Sequence, residues 1–226
     1  MDVFFRLLLA HLLGDYTFQT DYIAKWKRRS FVGVLVHTTI FLFFAVILLW
    51  DKLDKIWFKF PGWVCIIILY ILHIIEDEYR AYNVRHSHKE DNIIFFLWDQ
   101  FIHIIFIYLF SPADNFIIEP LVLILCIFVL GTHFASVFIL YIENTTHNVE
   151  IAYDNFKSKY FYIVLRFFTL LLFLLPGKWY FISFFMIIIF FYGYIKIRHL
   201  SKIGLISNLV VTYTLGFFIL LVLNKV

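Results

Sequence analysis

Charge is what this chain of 226 residues has least of. Asp, Glu, Lys and Arg together make up 15% of it, and 63% is hydrophobic; an average soluble domain has ~25% charged and ~45–50% apolar residues. With a mean hydropathy of +0.88, that shortage excludes a soluble globular domain and predicts an all-α, polytopic transmembrane helix bundle. Cysteine is nearly absent. Cys65 and Cys126 lie in separate apolar runs with no CxxC spacing, so both are expected to be packing residues, and neither a disulfide nor thiol chemistry is implied. The net charge of +3 is small, and the basic residues sit in short loops and not in one broad patch, which argues against nucleic acid as a partner. The opening residues carry Asp2 before any basic residue and no A-x-A site, as expected for a retained first helix and not a secretory signal.

A membrane span needs ~20 mainly apolar residues. On that ruler about eight spans are expected, over 3–24, 31–50, 61–79, 92–110, 118–142, 160–176, 179–197 and 203–223. Asp15, Gln19, Thr20 and Asp21 make the second half of the first span polar, and Pro176-Gly177 ends the sixth. The spans divide into a four-helix front half, residues 1–112, and a four-helix back half, residues 113–226, within one integral membrane unit. Basic residues fall unevenly on alternate connections. Lys25, Lys27, Arg28, Arg29, Arg80, Arg85, Lys89, Lys157, Lys159, Lys196, Arg198 and Lys202 share one side, against Lys52, Lys55, Lys59, Lys178 and Lys225 on the other. The positive-inside rule then predicts a multi-pass protein of the inner (plasma) membrane with both termini outside.

Into this apolar chain is set a repeated polar pairing. His11 and Asp15 in RLLLAHLLGDYTFQ, His73 and Asp77 in HIIED, and Asp99 and His103 in DQFIH are each four residues apart, and His37 stands alone in LVHTTIF. On a helix, residues four apart share a face, so His11, Asp15 and Gln19 are expected to form one polar stripe. Ionisable groups inside membrane spans are expensive to bury and normally mark a working site. Counted from the expected cytosolic ends of their spans, all seven fall in a layer from ~5 to ~20 Å deep at ~1.5 Å per residue. Agreement in depth across four helices predicts one shared site opening towards the cytosol.

Imidazole and carboxylate together suit a divalent transition metal, zinc above all, and seven such groups allow one or two ions. Bound water at such an ion becomes a hydroxide nucleophile near neutral pH, with Asp15 or Asp99 as general base. His11, Asp15, His37, His73, Asp77, Asp99 and His103 are therefore the candidate metal ligands. Gln19 and Arg166 are candidate substrate-binding residues, Arg166 because a buried guanidinium suits an anionic headgroup. Membrane burial points to a lipid-like ester or phosphoester as substrate and to the bilayer as partner. Two other readings stand beside this hydrolase: a transporter for protons or divalent metal, and a non-catalytic subunit whose His/Asp pairs lock the bundle.

The residues just named also carry a resemblance. The segment HLLGDYTFQTDYIAKWK, from His11 to Lys27, resembles the HLLGDFxLQTDxxAxxK opening of the bacterial membrane family called domain of unknown function 3307. That family's LxHxxxY, HxxxD and DQxxH elements are similar to LVHTTIF around His37, HIIED and DQFIH. The likeness covers residues 3–110. In the back half, LRFFTLLLFLLPG resembles an ER-containing helix of longer members, with Leu165 where the glutamate would stand. The His/Asp pattern is similar to that of membrane-bound metal-dependent hydrolases, an analogy of pattern and not of fold.

Overall fold

The computed structural model describes residues 1–86, 92–112, 119–147, 156–196 and 201–223. It is all-α, with 88% of the described residues helical. Two compact units emerge, Met1–Cys126 and Ile127–Val226. The expected division between the halves, at 112/113, abuts residues 113–118, which lie outside the described residues.

The first unit begins with α1 (Asp2–Leu12), which continues into one π-helical turn, Leu13–Thr17. The chain then leaves the helix. Thr20 adopts an extended backbone, and its hydroxyl accepts from the Ile23 amide at 3.2 Å, capping α2 (Asp21–Arg29). The expected single span over 3–24 is therefore two helices, and Gln19 lies past the end of the first. The four-residue stripe holds for His11 and Asp15 but does not extend to Gln19. Lys25, Lys27, Arg28 and Arg29 crowd α2, which has no buried residue, as befits a helix at the edge of an apolar bundle.

Ser30 joins α2 to α3 (Phe31–Leu48), donating its amide to Trp26 O at 3.0 Å and accepting from Gly33 N at 3.1 Å. The corner is tight, because a Cβ at Gly33 would stand 2.5 Å from the Trp26 carbonyl. A two-residue hairpin, β1 (Ile56–Trp57) and β2 (Phe60–Pro61), pairs Ile56 with Pro61 and Trp57 with Phe60 and turns the chain into α4 (Gly62–His86). Next come α5 (Ile93–Phe110) and the start of α6 (Pro120–Val129), inside which the division between units falls.

One apolar cluster closes one end of the first unit. Val3, Leu7 and Ala10 of α1 meet Phe41 and Ala45 of α3, Leu49 just past its end, Cys65, Ile66 and Leu69 of α4, and Ile107 of α5. These residues precede His11 and His73 on α1 and α4 but follow His37 and His103 on α3 and α5. Alternating helix directions thus place them all on one side of the histidine layer. The outward faces are equally apolar: Val32, Val36, Phe43 and Ile47 on α3, Ile67, Ile71 and Ile75 on α4, and Ile94, Trp98 and Phe101 on α5 are all exposed. Faces of that kind are suited to lipid and not to water.

In the second unit, a π turn over Leu130–Phe134 leads into α7 (Ala135–His147), followed by α8 (Phe156–Leu174), α9 (Ser183–Lys196) and α10 (Lys202–Leu223). Tyr162, Leu165, Phe190 and Leu205 form a buried cluster there. Beyond α8, Gly177 has φ +81°, a backbone that suits glycine directly after Pro176.

By length and composition, five helices among the described residues can cross a membrane: Phe31–Leu48, Ile93–Phe110, Pro120–Thr146, Trp179–Lys196 and Lys202–Leu223. The other three expected spans are set apart by identifiable residues. The first is short, α4 carries Glu76, Asp77 and Glu78 together, and α8 carries Lys157, Lys159 and Arg166.

Candidate metal centre

Four helices of the first unit bring the His/Asp pairs together. Gly14 lets α1 approach α3 closely, since a Cβ there would lie 3.2 Å from the Phe41 backbone. The adjoining π turn carries Asp15, and such turns recur at functional sites because they re-aim side chains inside a helix. Asp15 Oδ1 lies 3.3 Å from His11 Nδ1, 3.5 Å from His73 Nε2 and 3.6 Å from His37 Nε2. A tetrahedral zinc site with ligands at ~2.0–2.1 Å has its ligand atoms ~3.3–3.4 Å apart. Asp15 thus stands at close to ligand spacing from three imidazole nitrogens on three helices.

The cluster continues from there. His37 Nε2 is 3.1 Å and His73 Nε2 3.6 Å from Asp77 Oδ2. The His73 and His103 rings are 4.4 Å apart, and His11 stacks on His103 at 5.1 Å. Among the described residues, three groups place their ligand atoms within 4.8 Å of one another and could hold a metal ion: His11, Asp15 and His73; His37, His73 and Asp77; and Asp77, Asp99 and His103. All seven expected ligands are buried, His37 completely and Asp15 to 5% exposure.

Hydrogen bonding assigns the protons. The Gln100 amide Nε2 donates to Asp99 Oδ2 at 3.0 Å, which turns Gln100 Oε1 towards His11 Nε2, 3.1 Å away. That oxygen can only accept, so His11 carries its proton on Nε2 and presents the Nδ1 lone pair to Asp15. His103 Nδ1 lies 2.8 Å from the Asp99 carbonyl oxygen and must likewise be the protonated nitrogen, leaving the Nε2 lone pair free. His11 Nδ1, Asp15 Oδ1, His37 Nε2, His73 Nε2, Asp99 Oδ1 and His103 Nε2 are all buried without a hydrogen-bond partner. Buried polar atoms in proteins are normally satisfied. With their protons held on the far side of the ring, His11 and His103 turn lone pairs towards the carboxylates, and the imidazole and carboxylate set fits a borderline divalent metal.

Three further residues touch the cluster and were not among the sequence candidates. Lys27 Nζ lies 3.2 and 3.3 Å from the two Asp77 oxygens. Arg80 Nη1 donates to Asp99 Oδ2 at 2.7 Å, and Gln100 bridges Asp99 to His11. Arg80 was legible as the residue one helical turn beyond Asp77, and Gln100 as the neighbour of Asp99. Lys27 lies in the same opening segment as His11 and Asp15, but its reach to α4 depends on the corner at Ser30.

Among the other sequence candidates, Gln19 lies beyond the π turn, half-buried, and its Oε1 has no hydrogen-bond partner. Arg166 belongs to the second unit. There it donates to Gly131 O at 2.8 Å and Thr132 O at 2.7 Å, and also to Ser136 and Asn208. The first two acceptors are carbonyls of the Leu130–Phe134 π turn.

These observations define an all-α protein with helices apolar enough to cross a membrane and a buried His/Asp cluster compatible with a metal site. The chain belongs to the family described as protein of unknown function (DUF3307), whose model matches residues 3–119. That stretch contains α1 to α5 and all seven residues of the cluster. No curated protein and no solved structure matches the chain.

Proposed function

We propose that the protein is a membrane-embedded, metal-dependent hydrolase acting on a lipid-like ester or phosphoester. The observation that carries this reading is the convergence of unpartnered imidazole and carboxylate atoms on Asp15. His11, Asp15, His37 and His73 would hold the ion, zinc by preference, with Asp77, Asp99 and His103 beside it. A zinc ion at such a site supplies a bound water acidic enough to act as hydroxide near neutral pH. This chain's own part is to fix the tautomers of His11 and His103, and to offer Asp99 Oδ1 and His103 Nε2 as proton acceptors next to the ion.

Lys27–Asp77, Arg80–Asp99 and His11–Gln100 do join helices as a purely structural role requires, but they leave His73 Nε2, Asp99 Oδ1 and His103 Nε2 buried without a partner. A transport role needs a polar path through both ends of the bundle, and the apolar cluster from Val3 to Ile107 closes one of them. Access is through the other end, where Lys25, Lys27, Arg28, Arg29, Arg80 and Arg85 gather. The positive-inside rule makes that end cytosolic, in a plasma membrane.

Elemental analysis of purified protein tests the reading, with one or two transition-metal ions per chain expected. His73→Ala should lose the metal and with it hydrolytic activity, and His103→Ala should lose activity, both while remaining folded. Full metal occupancy in His73→Ala would overturn it.

A further inference from the structure

We propose that Lys27 and Arg80 form the anion-recognition rim of this centre, so that its ligand is a monoanionic phosphate ester and not a neutral carboxylic ester. The inference rests on the hydrolase reading for turnover, but not for binding.

Two of the three carboxylates in the cluster are already paired with a cation. Lys27 Nζ grips Asp77 through both oxygens, and Arg80 holds Asp99. Among the described residues, the ion-pair partners of Asp15 are the imidazoles of His11, His37 and His73. Of the three possible ion-holding groups, the one made by His11, Asp15 and His73 contains neither Asp77 nor Asp99. The ion is thereby directed to Asp15, whose neighbours His37 and His73 also face Asp77, the carboxylate that Lys27 holds. With neutral histidines, the three buried carboxylates of the cluster with Lys27 and Arg80 leave one negative charge, and the half-buried Glu76 stands at its edge. A divalent ion at Asp15 turns the set of buried carboxylates and their two cations into one positive charge, which a singly charged anion offsets, whereas a second ion would leave three.

Position agrees with that role. The Lys27 and Arg80 side chains are 14% and 13% exposed, whereas those of their carboxylate partners are 1% and 4% exposed. The cations are thus the more exposed member of each pair, at the margin of the buried cluster. Both are held in place. The corner at Ser30 and Gly33 fixes α2 against α3 and aims Lys27 at α4, and the Arg80 guanidinium lies 5.9 and 5.6 Å from the ring centres of Phe95 and Phe96. An ammonium and a guanidinium on one rim match phosphate oxygens, and a neutral ester carbonyl makes no use of them.

The test is titration calorimetry of the metal-loaded full chain in detergent with three probes: inorganic phosphate, short-chain phosphatidylglycerol and the neutral short-chain diacylglycerol. Both phosphate probes should bind and the diacylglycerol should not; tighter binding of the lipid than of inorganic phosphate identifies a lipid headgroup as the source. Lys27→Gln and Arg80→Gln should each weaken phosphate binding about ten- to a hundredfold, the range of a charge-assisted hydrogen bond. Lys27→Arg, which keeps the charge should the glutamine variant fail to fold, should bind within about threefold of wild type at equal metal content. Equal binding of neutral and phosphate probes, or glutamine variants that bind phosphate like wild type, would overturn the proposal. Phosphate binding without turnover would uphold this inference and refute hydrolysis, whereas turnover of neutral esters alone would do the reverse.

Discussion

His11 Nδ1 faces Asp15 Oδ1 across 3.3 Å, and neither atom has a hydrogen-bond partner. The reason lies on the far side of the ring, where Gln100 Oε1 accepts a hydrogen bond from His11 Nε2 and is itself oriented by Asp99. A lone pair and a carboxylate oxygen held together in this way are compatible with a metal ion between them.

Gln100 should therefore set the metal affinity without touching the ion. Groups that fix the tautomer of a ligating histidine are commonly worth ~10–100-fold in affinity. Gln100→Met keeps the volume and removes the acceptor, so competition against a chelator should show a loss in that range with the fold intact. Unchanged affinity would mean that His11 is not a ligand.

Asp15→Asn separates function from stability. The substitution removes a buried charge that no Lys or Arg compensates, and replaces it with a neutral group of the same shape. In metal-free protein it should raise stability by roughly 1–3 kcal/mol, the usual relief of an uncompensated buried polar group, while abolishing metal binding. Thermal unfolding with and without chelator reads both effects. A variant less stable than wild type in chelator would show that Asp15 is a structural residue.

Much of this centre was legible in the sequence, for a physical reason. A His and an Asp four residues apart meet on any helix, so HIIED and DQFIH specify their geometry locally, and the cost of burying them in apolar segments points to function. The opening segment was legible in part. His11 and Asp15 pair as expected, but the π turn at Leu13–Thr17 and the extended Thr20 remove Gln19 from their stripe, and hydrophobic periodicity does not register such a turn. Lys27 was hidden for a different reason. Its partner Asp77 is fifty positions away, and their meeting depends on the α2–α3 corner that Gly33 permits. Leu165, where the resemblance led to a glutamate, is buried among Tyr162, Phe190 and Leu205 as an apolar residue should be.

Arg166 tests the second unit. Its guanidinium supplies donors to two carbonyls of the Leu130–Phe134 π turn and to Ser136 and Asn208. Arg166→Met deprives these buried groups of that donor and should cost roughly 3 kcal/mol or more, as breaking buried charged networks does. Thermal unfolding in detergent measures it. A variant of wild-type stability that loses ligand binding would instead make Arg166 a substrate-binding residue.

Metal retention should depend steeply on pH. A ligating imidazole must be neutral, so each proton taken up competes with the ion. Reference imidazoles titrate near ~6.5, and three of them converge on Asp15. Retention should therefore be complete above neutrality and fall as the pH drops through the imidazole range. Protonation of several ligands together makes the fall steeper than a single titration. Equilibrium dialysis against a fixed free zinc concentration from about pH 5 to 8 measures the slope, expected to lie between ~2 and ~3 protons per ion for a three-imidazole site. A carboxylate-dominated site built on Asp77 and Asp99 would hold its ion to lower pH with a slope near or below one. The slope thus decides which of the adjoining groups binds the metal.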